Sequence, residues 1–162
     1  MNLKIDPINT NKTADSTLVQ WSEKYNVDIE LIDTHHKELV NLTNDLYRAC
    51  MGSDGGLDIT FKDTMSRMVE YVRFHFTSEM QLLERIKFPG RHIHKMQHDK
   101  LIENILDAVI EYKQGKNFVP NNFVRTLRDW ILGHIAIFDK AYVSYVKEQK
   151  SKGLLSDLEL VG

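Results

Sequence analysis

Apolar residues recur at intervals of three and four along most of the chain, which is the spacing of a helix with one face in a protein core. Four separate stripes of this kind are present. The first two are Ile29, Ile32, His36, Leu39, Thr43, Leu46 and Cys50, and then Phe61, Met65, Met68, Val72, His75, Glu79, Leu82 and Ile86. The other two are His94, His98, Leu101, Ile105, Ala108 and Tyr112, and then Leu127, Trp130, Ile131, His134, Phe138, Tyr142 and Tyr145. No segment alternates with the period of two that indicates a strand, so the pattern predicts four helices.

Residues that start or stop helices separate the four stripes. Asp28 and Asp58 are candidate N-caps of the first two helices, and Pro120 suits the first turn of the fourth. The expected stops are Gly52 with the SDGG segment after it, Phe88-Pro89-Gly90, Gly115 and Gly153. Helices joined by short connections pack as antiparallel neighbours. The sequence therefore predicts an all-α fold, an up-down-up-down antiparallel four-helix bundle with an N-terminal arm.

The length and composition fit one globular domain with flanking segments. We expect residues 1–20, which are polar and lack a sustained period, to be an N-terminal extension, residues 21–153 to be the bundle, and residues 154–162 to be a C-terminal tail. A net charge of −2 leaves no basic surface for nucleic acid or an anionic membrane. We expect no membrane insertion and a cytoplasmic location, because there is no long apolar run, no secretory signal and a single cysteine, Cys50.

The apolar stripes contain ionisable residues where only core side chains are expected. A lone histidine in such a position is more often a satisfied core residue than a ligand. Here five histidines and one glutamate share the stripes, and each buried polar group without a partner costs about 1–3 kcal/mol. The summed cost of these six groups would offset most of the net free energy of folding, which is about 5–15 kcal/mol for a typical domain. These groups must therefore bind one another or a common ligand: His36, His75, Glu79, His94, His98 and His134.

The spacing of these residues suits metal binding. His75 and Glu79 are four residues apart, as are His94 and His98, so each pair projects from one helical face. Asp139 follows the histidine of the fourth stripe by five residues, about 140° round a regular helix, from where its carboxylate could reach a second ion. Antiparallel packing brings all seven groups to a similar height in the bundle.

The number and type of these ligands favour a pair of iron ions. Five imidazoles and two carboxylates exceed the four ligands of a tetrahedral zinc ion. They suit two ions of coordination number five or six, and mixed nitrogen and oxygen ligation favours iron over magnesium or calcium. No histidine has a glutamate three places before it, which argues against the ferritin-like di-iron arrangement.

These positions resemble the hemerythrin family, in particular its bacterial members, the bacteriohemerythrins. The resemblance covers roughly Trp21 to Lys147, and its opening segment is WSEKYNVDIELIDTHHKEL. It continues with H-x-x-x-E at His75–Glu79 and H-x-x-x-H at His94–His98, and it ends with Trp130, His134-Ile135 and Asp139.

The resemblance implies two iron ions per chain, joined by an oxo or hydroxo bridge, with dioxygen as the ligand of one of them. The implied ligands are His94, His98 and His134 on one iron, His36 and His75 on the other, and Glu79 and Asp139 as bridges. The two-histidine iron would keep an open position for dioxygen. Counted from the ligand positions, the expected lining of a dry pocket there is Leu39, Phe76, Ile131, Ile135 and Ile137.

Four residues near these positions have more than one interpretation. His35 precedes His36, but it lies 100° off the stripe, so we assign the ligand role to His36. Asp33 is either an acceptor that orients a ligand or a solvated acid in the first helical turn. Tyr142 either reaches the site or packs in the core. His92 lies off the stripe, and we expect it to face solvent.

The resemblance implies reversible dioxygen binding for storage, transport or sensing, and no enzymatic activity. The alternative is a di-iron oxidase or peroxidase that acts on oxygen or hydrogen peroxide. The metal ligands do not separate the two, but an aliphatic pocket lining favours binding. A sensor or carrier would act on a separate signalling or oxygen-accepting protein. We expect a monomer, and a purely structural bundle is the least favoured interpretation.

Overall fold

Five α-helices account for most of the chain in the computed structural model, which describes residues 17–51, 57–114 and 120–160. A π-helical segment, Ile135–Asp139, joins the last two helices into one long rod. Short 3-10 turns, Glu23–Tyr25 and Asp157–Leu160, flank the bundle. The α-helices are α1 Glu30–Met51, α2 Leu57–Arg85, α3 Arg91–Lys113, α4 Pro120–His134 and α5 Lys140–Ser151.

The helices form the antiparallel four-helix bundle that the sequence predicts. α1 packs against α2 and α4, and α3 packs against the same two helices, so α1 and α3 lie on a diagonal. The stripe residues of the first three helices are buried, apart from Cys50 and Tyr112, which are half-buried. The all-α prediction is confirmed, and the described segments contain no strand. None of the helices in these segments is long and apolar enough to cross a membrane.

The entry to α1 differs from the predicted cap. Asp28 is exposed and has a φ of 60°, and the helix begins two residues later at Glu30. The carboxylate of Asp33 binds this segment instead: Oδ1 accepts the Val27 N–H at 2.7 Å and Oδ2 accepts the Asp28 N–H at 3.1 Å. Neither interpretation of Asp33 is correct, because this nearly buried acid organises the backbone at the start of the helix.

The other predicted helix starts and ends agree with the structure only in part. The second helix begins at Leu57, one residue before Asp58, which therefore lies inside the helix rather than at its cap. Gly52 with the SDGG segment and Gly115 lie outside the described residues. α2 ends at Arg85, just before the Phe88-Pro89-Gly90 segment, and α5 ends at Ser151, two residues before Gly153.

The core stripe of the fourth rod shifts by one residue at the π-helical segment. The Lys140 amide donates a hydrogen bond to the Ile135 carbonyl, five residues earlier, so this turn holds one residue more than an α-helical turn. From its last residue onward the buried positions are Asp139, Tyr142, Val143 and Val146. The predicted positions Phe138 and Tyr145 are only half-buried, because the prediction assumed an uninterrupted α-helix.

Residues 17–21, which we call the strap, run along the outside of α1. The Asn44 side chain binds the strap from the middle of that helix: its Oδ1 accepts the N–H groups of Leu18 and Val19 at 3.0 and 3.1 Å. Its Nδ2 donates to the Val19 carbonyl at 2.9 Å. Further along, the Trp21 indole N–H donates to Asn26 Oδ1 at 3.2 Å. The strap therefore covers α1, and Asn44 is only 7% exposed.

Candidate metal centre

All seven predicted ligands meet inside the bundle. α1 provides one, α2 and α3 provide two each, and the fourth rod provides the last two at the start and the end of its π-helical turn. Each is at most 5% exposed: His36, His75, Glu79, His94, His98, His134 and Asp139. The i,i+5 spacing in the fourth rod is explained by the π-helical turn, which brings both ligands to the same face.

Glu79 lies at the centre of this cluster. Its Oε2 is 3.1 Å from Nε2 of both His94 and His98, and 3.8 Å from Nε2 of His75. Its Oε1 accepts a hydrogen bond of 2.8 Å from the hydroxyl of Tyr142, which is fully buried. Tyr142 therefore reaches the site, as one of the two interpretations of the sequence allowed.

Asp139 approaches the cluster from the opposite side. Its Oδ2 is 3.2 Å from His36 Nε2, and its Oδ1 is 3.1 Å from His134 Nε2 and 3.6 Å from His94 Nε2. These contacts lack hydrogen-bond geometry, so both carboxylate oxygens are buried without a hydrogen-bond partner. A buried carboxylate left in this state is costly, and a cation between these atoms would satisfy it.

The histidine nitrogens also lie close to one another, in addition to their contacts with the two carboxylates. Nε2 of His98 and Nε2 of His134 are 3.1 Å apart, and the second of these is 3.3 Å from His94 Nε2. Neutral imidazoles cannot all donate to each other in such a cluster, but their lone pairs can all point at a metal ion. The convergence of nitrogen and carboxylate oxygen atoms fits iron better than magnesium or calcium.

Six of the seven predicted ligands separate into two neighbouring groups of possible ligand atoms, and Asp139, which belongs to neither, contacts His36, His94 and His134. One contains His36, His75 and Glu79, and the other contains Glu79 with the three histidines of α3 and α4. Within each group the possible ligand atoms lie within 4.8 Å of one another. Glu79 belongs to both groups, and the first group has one histidine fewer than the second.

Burial and hydrogen bonding determine the charge states of His75 and Glu79. Burial lowers the pKa of His75 to about 3, which keeps its imidazole neutral and its lone pair available. Burial alone would raise the pKa of Glu79, but the hydrogen bonds from His94 and His98 outweigh it and hold that pKa well below its usual value. The cluster therefore combines a neutral ligand with an ionised carboxylate, as metal binding requires.

The structure separates His35 from His36. The imidazole of His35 lies edge-on to that of His75, with ring centroids 5.7 Å apart, and packs against Phe74 at 4.8 Å. It is buried, but it belongs to neither group of possible ligands, whereas His36 does. The other histidine off the stripes, His92, is exposed as expected.

Four of the five predicted pocket residues are buried, and each is within three residues of a candidate ligand in the sequence: Leu39, Phe76, Ile131 and Ile135. The fifth, Ile137, is 64% exposed, so its predicted place in an interior lining is wrong. The π-helical turn is the reason, because its two ends, Ile135 and Asp139, face inward, whereas Ala136 and Ile137 between them face solvent.

Aromatic rings pack on two of the candidate ligands, a feature that the sequence did not predict. Phe76 stacks on His98 with ring centroids 3.6 Å apart and an angle of 1° between the planes. Trp130 stacks on His134 at 4.5 Å and 14°. Phe76 follows His75 directly, and Trp130 precedes His134 by four residues, or one helical turn. This spacing does not determine which way an aromatic ring points, so the sequence did not predict the stacking.

Comparisons with known proteins agree with this geometry. The family model of the hemerythrin HHE cation binding domain matches residues 27–146. A bacteriohemerythrin of Clostridium acetobutylicum is 30% identical over 129 residues, which cover 76% of this chain and 97% of that protein. One from Stenotrophomonas maltophilia is 25% identical and covers 80% and 82%. Among solved structures, a wild-type hemerythrin has a TM-score of 0.72 at 24% identity and covers 78% of this chain and 96% of that one.

The fold and the site together define a four-helix bundle with a buried histidine and carboxylate cluster that could hold a metal. Because the matching family model spans most of the bundle, the chain belongs to the hemerythrin HHE cation binding domain family. Membership implies an oxygen-binding protein with non-haem iron, and the cluster described above is the place where iron fits.

Proposed function

We propose that the cluster binds two iron ions and that the protein binds dioxygen reversibly. The observation that carries this proposal is the pair of possible ligand groups that share Glu79 and differ by one histidine. The iron ions, when bound, would supply the electrons for reversible oxygen uptake. The ion held by His36 and His75 would have fewer protein ligands, and a position on it would be open to dioxygen.

The carboxylates of Glu79 and Asp139 would bridge the ions and neutralise part of their charge. Asp139 lies between His36 of α1 and His134 of α4, at 3.2 and 3.1 Å. Glu79 lies 3.1 Å from the two histidines of α3 and 3.8 Å from His75 of its own helix. Tyr142 fixes one of these bridges, because its hydroxyl donates to Glu79 Oε1 and leaves Oε2 facing the histidines. The two carboxylates therefore need little rearrangement to bind metal.

The apolar side chains around the cluster would favour release of oxygen over its consumption. Leu39, Phe76, Ile131 and Ile135 are buried and provide no proton donor. A dry lining restricts the access of water and protons to bound oxygen, and these are what an oxidase or peroxidase needs. We therefore favour oxygen storage, transport or sensing, with a separate protein as recipient, over a di-iron enzyme.

The deciding experiment uses iron-loaded protein that has been reduced without oxygen. Iron per chain is counted, and the visible spectrum is recorded through repeated cycles of oxygen addition and removal. Two irons and an absorption band that appears and vanishes over several cycles are expected. Irreversible conversion to the oxidised spectrum, with hydrogen peroxide released or consumed, would favour the enzyme. Absence of iron uptake would exclude both functions.

A further inference from the structure

The C-terminal half of α3 presents an exposed apolar pair beside an open groove. Leu106 and Ile110, one helical turn apart, are 43% and 50% exposed. Leu106 lines one side of a groove of about 520 Å³ between α2 and α3. Its apolar lining includes Phe61, Met65, Val69, Val109 and Tyr112. Contiguous apolar surface of this kind is typical of a protein–protein contact.

The rim of this groove is cationic. Lys62, Arg73 and Lys113 line it together with one carboxylate, Glu70. The groove therefore suits an occupant that presents apolar side chains flanked by acidic ones. A partner with basic flanks would meet like charges at the rim.

The outer face of α3 carries apolar side chains flanked by acidic ones, which would complement this groove. Leu106 and Ile110 are flanked there by Glu103 and Asp107, and Glu111 continues the acidic row at the same spacing of four residues. Like charges at this spacing repel one another and destabilise a helix slightly. Within residues 17–51, 57–114 and 120–160 none of the three carboxylates forms an ion pair with a cationic side chain.

We propose that this face binds a second copy of the chain, with a two-fold axis parallel to α3. The two α3 helices would lie side by side and parallel, and Leu106 and Ile110 of each copy would enter the groove of the other. Rotation about this axis exchanges left and right across the interface, so the acidic side of each α3 meets α2 of the other copy. An axis perpendicular to the helices would set the acidic rows against each other.

The heights of the charged residues match in this arrangement. At one end of the groove the Lys62 ammonium lies 5.7 Å from the Tyr112 ring, and α2 and α3 run antiparallel from there. Arg73, eleven residues further along α2, is therefore near the height of Glu103 on α3. A two-fold axis parallel to α3 preserves height, so Glu103 of one copy lies opposite Arg73 of the second copy. This dimer differs from the monomer expected from the sequence.

Sedimentation equilibrium of the full-length, iron-loaded protein tests the proposal. The parent chain should self-associate, and Leu106→Lys should raise the dissociation constant at least about tenfold. Arg73→Glu and Glu103→Arg should each weaken association, and their combination should restore it, because the ion pair is reversed. Ile93→Lys is the matched control: Ile93 lies on the same helix, is 58% exposed, and is far from the groove.

Several results would overturn the proposal. A parent chain that stays monomeric at every accessible concentration excludes the dimer. Equal association of the Leu106→Lys and Ile93→Lys variants places any contact elsewhere. Failure of the double charge reversal to restore association rules out the parallel two-fold arrangement. Helix content and iron per chain are measured for each variant, and they should stay unchanged because all four side chains are exposed and none is a candidate metal ligand.

Discussion

At the scale of single residues, Glu79 connects the metal centre to the rest of the bundle. Three histidines from two helices approach one of its oxygens, and Tyr142 donates a hydrogen bond to the other. Because Glu79 belongs to both groups of possible ligands, its loss should affect both of the proposed iron sites. The sequence identified it from its place on an apolar stripe, where an unpaired carboxylate is rarely found.

Replacing Glu79 with alanine should reduce the iron content from two ions per chain to one or none. The iron-loaded variant should also unfold at nearly the temperature of its iron-free form, because metal binding no longer stabilises the folded state. Iron analysis and thermal unfolding with and without iron check this. Glu84→Ala, on the surface of the same helix, is the control, and it should keep both iron and the stabilisation. In a purely structural bundle, iron would change the unfolding temperature of neither variant.

Replacing Tyr142 with phenylalanine should destabilise the iron-free protein by about 1.5–3 kcal/mol, the range for a hydrogen bond to a charged group. The ring would still fill its place in the core, so the loss isolates the hydroxyl. Urea unfolding measures it. The matched control is Tyr145→Phe, whose hydroxyl donates to the Lys87 carbonyl at 3.2 Å on the surface. That change should cost less than about 0.5 kcal/mol, and equal losses would contradict the role given to Tyr142.

The half-buried Cys50 should react slowly with thiol reagents in the folded protein. Burial raises the pKa of its thiol from 9.0 to about 11, so the reactive thiolate is roughly a hundredfold scarcer near pH 8 than in the unfolded chain. Because the folded-state pKa is the higher one, the stabilisation from the neutral thiol is present below pH 9 and is lost as the pH rises towards 11. Alkylation rates between pH 7 and 11, with and without denaturant, check this. Equal rates in both states would contradict it.

At the scale of elements, the helices were predictable because their signal is local. A period of three and four residues determines which face of an isolated helix is apolar, and it placed His36, His75, Glu79, His94 and His98 inside the bundle. The π-helical turn is different, since its stability depends on what the fourth rod contacts on both sides. The spacing of five between His134 and Asp139 was its only trace in the sequence.

The π-helical turn leads to a prediction about deletions. Removing the exposed Ala136 should convert the turn to a regular α-helix and leave Tyr142, Val143 and Val146 facing the core, because the extra residue is lost. Removing the exposed Ala141 should instead rotate those three residues by about 100° and expose them. Denaturant unfolding should show a fold retained by the first deletion and strongly destabilised by the second. Comparable losses from both deletions would contradict this account of the register.

At the scale of the whole molecule, long-range contacts account for most of what the sequence did not predict. The strap was expected to be a loose arm, yet its backbone groups bind an asparagine 25 and 26 residues away. The role of Asp33 likewise depends on how the chain enters α1. Neither contact produces a periodic pattern in the sequence, because each joins a side chain to backbone groups whose positions depend on the fold. Convergence of the candidate ligands was predictable, because antiparallel packing alone brings them to a similar height along the bundle axis.

The amide and carbonyl groups of the Asn44 side chain form hydrogen bonds with the strap backbone, as the backbone of a neighbouring strand would. The amide protons of Leu18 and Val19 are therefore shielded although their segment has no regular secondary structure. Hydrogen–deuterium exchange should find both amides protected, and Asn44→Ala should return them to the rate of an open chain while α2 and α3 keep theirs. If they exchange freely in the parent protein, the strap does not stay bound in solution. If they are protected, their exchange rates measure the free energy of releasing the strap.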